Sequence, residues 1–157
     1  MKAIHWIIAA AALAFVQPTP ASAGVNDPEI IIYRFPGVYD NGGGVAAGTA
    51  TVFHCTNFSG TVENVRYVTR TFDGTLKANI TQAIPHLATN TVATHDVNSY
   101  VIFAVFATGL VQQGTTAIAA TSINVICTAE TIDASKTSPD GVARRGIRFN
   151  PVPGSQE

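Results

Sequence analysis

The chain is poor in the residues that most often carry chemistry. It has two cysteines, one methionine, one tryptophan and four histidines in 157 residues. No C-x-x-C pair occurs, which removes a thioredoxin-like redox site. Neither histidine nor methionine follows Cys127, so the close-set ligands of a blue-copper centre are missing. No serine sits in a G-x-S-x-G elbow, and no Lys-Ser/Thr follows the glycine run Asp40–Gly44 to make it a phosphate loop. No H-x-H or H-x-x-E-H spacing exists, and nothing local points to a metal or a cofactor. Positive charge is not in excess either: Lys+Arg 9 stand against Asp+Glu 10, so nucleic acid is not a general partner. Charged residues make up only 12% of the chain and apolar ones 46%, a balance that favours a packed core over disorder.

What is present begins at the N-terminus. Lys2 is the only charge in the first 26 residues, and Ile7 to Val16 is an unbroken apolar run of 10 residues. Pro18 and Pro20 then interrupt it, and Ala21-Ser22-Ala23 supplies small residues for a peptidase. A positive start, a short apolar core and an A-x-A site predict a secretory signal over residues 1–23, cleaved after Ala23. The run is too short for a membrane anchor, which needs about 20 apolar residues. Residues 24–157 are expected to form one domain, in the periplasm or secreted, with no membrane anchor in the mature chain.

Export places Cys55 and Cys127 in an oxidising compartment, where two cysteines have a single way to pair. Each lies in a run rich in Val, Ile, Phe and Thr, "TATVFHCTNF" and "INVICTAETI". The prediction is a structural disulfide between two strands or two sheets, contributing about 4 kcal/mol by chain entropy. Turn signals at Asp40–Gly44, Asp73-Gly74, Gln112–Gly114 and Ser138–Gly141 separate further runs of the same kind. No apolar period of 3.6 residues is sustained after the signal. The expected fold is therefore all-β, an antiparallel β-sandwich with one disulfide. The apolar segment Val101–Ala107 is expected to be buried on both faces or to lie at a dimer seam.

A two-residue turn at Asp73-Gly74 gives a register that can be checked. It sets Val65 opposite Gln82, Tyr67 opposite Ile80, Thr69 opposite Ala78 and Thr71 opposite Leu76 on one, mostly apolar face. The other face pairs Arg66 with Thr81, Val68 with Asn79 and Arg70 with Lys77. Arg66, Arg70 and Lys77 then form a basic face able to meet an anion, or a charged edge that blocks strand pairing. Arg144, Arg145 and Arg148 come from the last strand, and Arg144 or Arg148 adds to this face if that strand joins the same sheet.

Other chemistry is diffuse. His54 neighbours Cys55 and so faces away from it on a strand. His86 follows Pro85 in a loop, and His95 precedes Asp96, an adjacent pair that points apart on a strand. Glu63, Asp73, Asp96, Glu130 and Asp133 are carboxylates among which a glycosidase pair would have to be spatial rather than sequential. Asn57-Phe58-Ser59 and Asn79-Ile80-Thr81 match the glycosylation pattern.

The cysteine spacing resembles that of immunoglobulin-like sandwiches, whose bridge joins the two sheets. The chain lacks that family's core tryptophan between the cysteines, and Val125 stands where its tyrosine would. The resemblance thus implies an immunoglobulin-like architecture rather than membership. "ATSINVICTAETIDA" and "IRFNPVPGSQE" resemble a group of short exported bacterial proteins, which implies location and carries no mechanism.

These observations favour an exported, non-enzymatic binding or structural module, with acidic polysaccharide or another protein as partner. A small hydrolase of cell-wall or extracellular polysaccharide, or a surface-fibre subunit assembled by strand exchange, are the alternatives.

Overall fold

The computed structural model describes residues 29–149; the predicted signal and its cleavage site lie outside them. Ten strands follow in chain order: β1 (Ile30–Asp40), β2 (Thr49–Asn57), β3 (Glu63–Arg70), β4 (Leu76–Ile84), β5 (Thr89–Ala93), β6 (Ala104–Val105), β7 (Val111–Ala120), β8 (Val125–Asp133), β9 (Gly141–Arg144) and β10 (Ile147–Arg148). They build two five-stranded sheets, ordered β10-β1-β7-β3-β4 and β6-β5-β2-β8-β9. Alternation along each strand sends one set of side chains between the sheets. Ile32, Phe35 and Val38 of β1, Val65 and Tyr67 of β3 and Ile118 of β7 meet Phe53 and Cys55 of β2, Val92 of β5 and Val125 and Cys127 of β8. Phe53 sits at the centre, 5.7 Å from the Phe35 ring and 5.9 Å from the Phe106 ring. Each such buried aromatic or branched side chain contributes about 1.5–3 kcal/mol relative to exposure. The fold is thus the expected all-β sandwich.

The disulfide joins Cys55 to Cys127 at a Cα separation of 4.2 Å. The two residues are direct partners in the β2–β8 register, and so short a separation marks a non-hydrogen-bonded antiparallel pair. The bridge therefore staples neighbouring strands of one sheet. It does not cross between sheets, as the immunoglobulin-like resemblance implied.

The β3–β4 register runs as predicted from Val65–Gln82 to Thr69–Ala78, with Arg66 opposite Thr81. Beyond it a bulge at Lys77 brings Arg70 opposite Leu76, so the expected Arg70–Lys77 pair is not formed. The cause is a longer turn. Thr71 and Thr75 are joined through their backbones at 3.0 Å, and the Asp73 carboxylate accepts the Thr71 hydroxyl and, at 3.0 Å, the Thr75 N–H. Those bonds, the Thr71 hydroxyl first, hold the Asp73 carboxyl down at about 2.

Two segments divide between separate strands. "TTAIAATSINVICTAETI" bends at Thr121–Asn124 and contributes β7 to one sheet and β8 to the other. "ARRGIRFN" breaks between β9 and β10. There a side chain on Gly146 would sit 2.4 Å from the Phe35 ring, so only glycine lets the chain pass the core at that point.

The sandwich is not wholly antiparallel, because β5 and β6 pair in parallel. A parallel neighbour requires the chain to cross back before it pairs. Residues 94–103 make that crossing over the outer face of the β2–β8 sheet. Val97, Tyr100 and Ile102 cover Ala50, Val52, Ala93 and Ile132, a second small apolar cluster. Thr94 N–H bonds Thr51 at 3.0 Å, and Asn98 N–H bonds Ala134 at 3.0 Å. The apolar run Val101–Ala107, which overlaps the end of this segment, is not buried on both faces. Phe106 points into the core, whereas Val101, Phe103 and Val105 are 94%, 60% and 42% exposed.

Candidate functional site

The basic residues occupy three places. Register alternation puts Arg66 and Arg70 on the outer face of the β1–β7–β3 sheet, and Arg34 joins them there across Ala117. Arg66 is an ion pair with Glu29, Nε to Oε2 at 2.5 Å. Arg70 donates to the Gly74 carbonyl at 2.9 Å, and Lys77 lies at the bulge in β4. Arg148 belongs to the same sheet but to its opposite edge, beyond β1, where its guanidinium lies 5.6 Å over the Tyr33 ring. Arg144 belongs to the other sheet and donates to the Thr131 hydroxyl at 2.7 Å. Arg144 and Arg148 thus do not extend the Arg66–Arg70 surface.

The carboxylates proposed from sequence are each held by their own neighbours. Glu63 is buried and bonded by the hydroxyls of Thr61, at 3.0 Å, and Thr121. Desolvation pushes its carboxyl up, but the hydroxyls of Ser59, Thr121 and Thr61 outweigh this and hold it below the usual range. Asp133 caps the turn at Ser135. Glu130 accepts the Tyr100 hydroxyl and lies 3.5 Å from His54 Nε2. His54 Nδ1 is 2.9 Å from the Thr91 hydroxyl. Burial, and then the Glu130 carboxylate, push the Tyr100 phenol up to about 12. His54 does face away from the core, as expected, and this cluster pins residue 100 of the crossing segment onto β2, β5 and β8. His86 Nδ1 accepts the Gly60 N–H at 3.0 Å. The Asn57 amide is fully buried and donates to Thr61 and Ile84 carbonyls at 2.6 and 2.8 Å, so it shapes the loop rather than offering a glycan acceptor.

One arrangement escaped the sequence. Asp40, at the end of β1, is fully buried. Its Oδ1 accepts the Gly42 N–H at 2.7 Å, and its Oδ2 accepts the Thr108 hydroxyl at 3.2 Å and faces His95 Nδ1 at 2.9 Å. A carboxylate only accepts, so His95 Nδ1 carries a proton and donates it to Asp40. His95 is 7% exposed, and Nε2 is buried without a hydrogen-bond partner among the described residues. Both residues line a depression of about 430 Å³ at one end of the sandwich, with Val45, Asp96, Val105 and Ala107 among its walls.

The loop that closes this depression is preset by its sequence. Asn41 Oδ1 accepts the N–H groups of Gly43 and Thr49 at 3.1 and 3.0 Å. Ala46 N–H bonds the Asp96 carbonyl at 3.1 Å, tying the glycine loop to the start of the crossing segment. Gly48, at φ +80°, packs so closely that a Cβ would meet the Asn41 amide at 2.3 Å.

Fold and site together define a disulfide-stapled β-sandwich with a buried Asp–His pair at one end and an apolar strand at one edge. No protein-family model, curated protein or solved structure matches this chain.

Proposed function

We propose that this chain is an exported, non-enzymatic binding module that docks a second protein chain along the open edge of β6. Export is supported by the Lys2, Ile7–Val16 and Ala21–Ala23 pattern and by a disulfide that suits the periplasm or the medium. The observation that carries the docking reading is a contrast among the sheet edges. Each of the other three edge strands bears a cation: Lys77 on β4, Arg144 on β9 and Arg148 on β10. Such charges discourage edge-to-edge pairing. The β6 edge has none, and no Asp, Glu, Lys or Arg occurs from Val97 to Gly114. Of its two residues Val105 is exposed, and the segment that leads into it exposes Val101 and Phe103.

A strand added to β6 would complete its free hydrogen-bonding side and cover those side chains, the usual mode of β-augmentation. The occupant is a second copy of the chain. An uncharged apolar edge is complementary to itself about a two-fold axis, and such a pair closes without leaving a further edge of the same kind. The test is a dilution series of the ¹⁵N-labelled mature protein. Concentration-dependent amide shifts centred on residues 101–106 are expected, and Phe103→Lys should remove them. Shifts absent at every concentration would refute self-docking.

A further inference from the structure

Where β1, β7 and β3 lie side by side, their ends hold a second depression. It measures about 380 Å³, is lined by Tyr39, Phe72, Gln112 and Gln113, and shares no lining residue with the one at Asp40 and His95. We infer that it binds one pyranose ring of a neutral sugar, with the aromatic side chains against its C–H faces and the glutamine amides on its hydroxyl rim. Two backbone irregularities bring these four residues together. Val38 pairs with Gly114 and Asp40 with Val111, so Gln112 and Gln113 stand opposite the single residue Tyr39. Consecutive side chains of a regular strand point to opposite faces, and this bulge lets both glutamines line one depression. Gln113 has φ +53° there, a conformation that favours glycine, yet the position carries an amide. Across β7, the long turn after β3 leaves Phe72 outside the strand pairing and 74% exposed.

The chemistry of the lining selects the ligand. Among the described residues no charged side chain lines the depression, so no ion is called for. Tyr39 and Phe72 offer large apolar rings whose negative faces attract polarised C–H bonds. Each glutamine amide both donates and accepts, which matches a hydroxyl. A pyranose with equatorial hydroxyls carries both features, apolar C–H faces and a hydroxyl rim. A proline-rich segment would meet the rings but, lacking N–H groups, would leave the amide oxygens unused. The backbone that carries the aromatics is fixed before any ligand arrives. The Thr51 hydroxyl donates to the Tyr39 carbonyl at 2.8 Å and accepts the Tyr39 N–H at 2.9 Å. Backbone bonds from Thr71 to Thr75 and from Gly74 to Thr71, with the Arg70 guanidinium on the Gly74 carbonyl, hold the turn around Phe72. A site held in this way loses little freedom on binding.

The test uses the mature, disulfide-bonded protein and the side-chain NH₂ resonances of Gln112 and Gln113. The probes are methyl β-D-glucopyranoside, glycerol and a tetraproline peptide blocked at both ends. The glucoside is expected to shift both amides saturably, with half-saturation at about 1–10 mM. Glycerol, which has hydroxyls and no ring, and tetraproline should each bind about tenfold more weakly or less. Phe72→Ala, at an exposed position, should weaken the glucoside about fivefold. Gln113→Gly removes an amide and relieves the backbone, so it should leave thermal stability unchanged or higher while weakening the glucoside about fivefold. A Gln113 that only shapes the bulge would give the reverse, lower stability with unaltered affinity. No saturable shift from the glucoside up to about 100 mM, equal shifts from glycerol or tetraproline, or unaltered affinity in either variant would each overturn the assignment. A cellotetraose arm separates the sources of the ring. Tighter binding per ring means that the site takes a glucan chain, and equal binding per ring means that a single sugar fills it.

Discussion

The two sheets start from the same strand alternation and end with different outer surfaces. On the β10-β1-β7-β3-β4 sheet the outer face carries half-buried Arg34, Arg66 and Arg70 around Ala117 and Ala119, which are themselves buried, and both edges carry a cation. On the β6-β5-β2-β8-β9 sheet the outer face is apolar at Ala50, Val52, Ala93 and Ile132, and residues 94–103 fold back to cover it. The difference follows from one parallel pairing. Because β6 runs alongside β5, the connection has to cross the sheet, and that crossing creates both the buried pair and the apolar edge. Its first residues deliver His95 to Asp40, and its last ones leave Val101 and Phe103 along an uncharged edge.

The largest expected effect lies in the covered sheet. Replacing Cys55 and Cys127 by Ala together should lower stability by about 3–5 kcal/mol in denaturant titration, with the fold otherwise retained. Next comes the contrast between the outer faces. Ile132→Ala, beneath the crossing segment, should cost about 2–4 kcal/mol, whereas Val68→Ala, half-buried on the arginine-bearing face, should cost only about 0.5–1 kcal/mol. Similar losses at both sites would mean that residues 94–103 do not cover their sheet.

A smaller effect concerns Glu63, at the end of β3 in the arginine-bearing sheet. Its folded carboxyl is held below its usual range, so it contributes stability that is fully present above the unfolded pKa. That contribution is lost as pH falls through the folded pKa. Glu63→Gln should therefore destabilise by about 1–3 kcal/mol at neutral pH, and the gap to wild type should shrink on acidification. Melts at a series of pH values measure it. The smallest effect is at the β4 edge. Lys77→Val should raise the concentration dependence of elution slightly, by removing the charge that protects that edge.

Much of the fold was legible, and for local reasons. Alternating residues on β3 and β4 identify the core face without help from the turn, so the register survived even though Thr71, Asp73 and Thr75 built a longer turn than Asp73-Gly74 implied. The disulfide partners were legible because there was only one pairing, but not its place within a sheet, which depends on strand order. β5 leaves little signal in the sequence, because Thr89–Ala93 is short and mixed in polarity. Val101–Ala107 was misread because apolar residues occupy both parities of the strand, and alternation carries no information when nothing polar marks the outer side. Asp40 and His95 lie 55 residues apart. Their meeting is set by where β1 ends and where the crossing begins, which no spacing motif encodes.

The central claim is that the uncharged β6 edge is a docking surface for a second copy. Light scattering on the mature protein, over a hundredfold range of concentration (~10 μM to ~1 mM, spanning weak and moderate association), tests it most directly. The account predicts a mass rising from one copy towards two for the wild type, and a single copy throughout for Phe103→Lys. A wild type that remains a single copy at the highest concentration, or a Phe103→Lys variant that associates equally well, would contradict it.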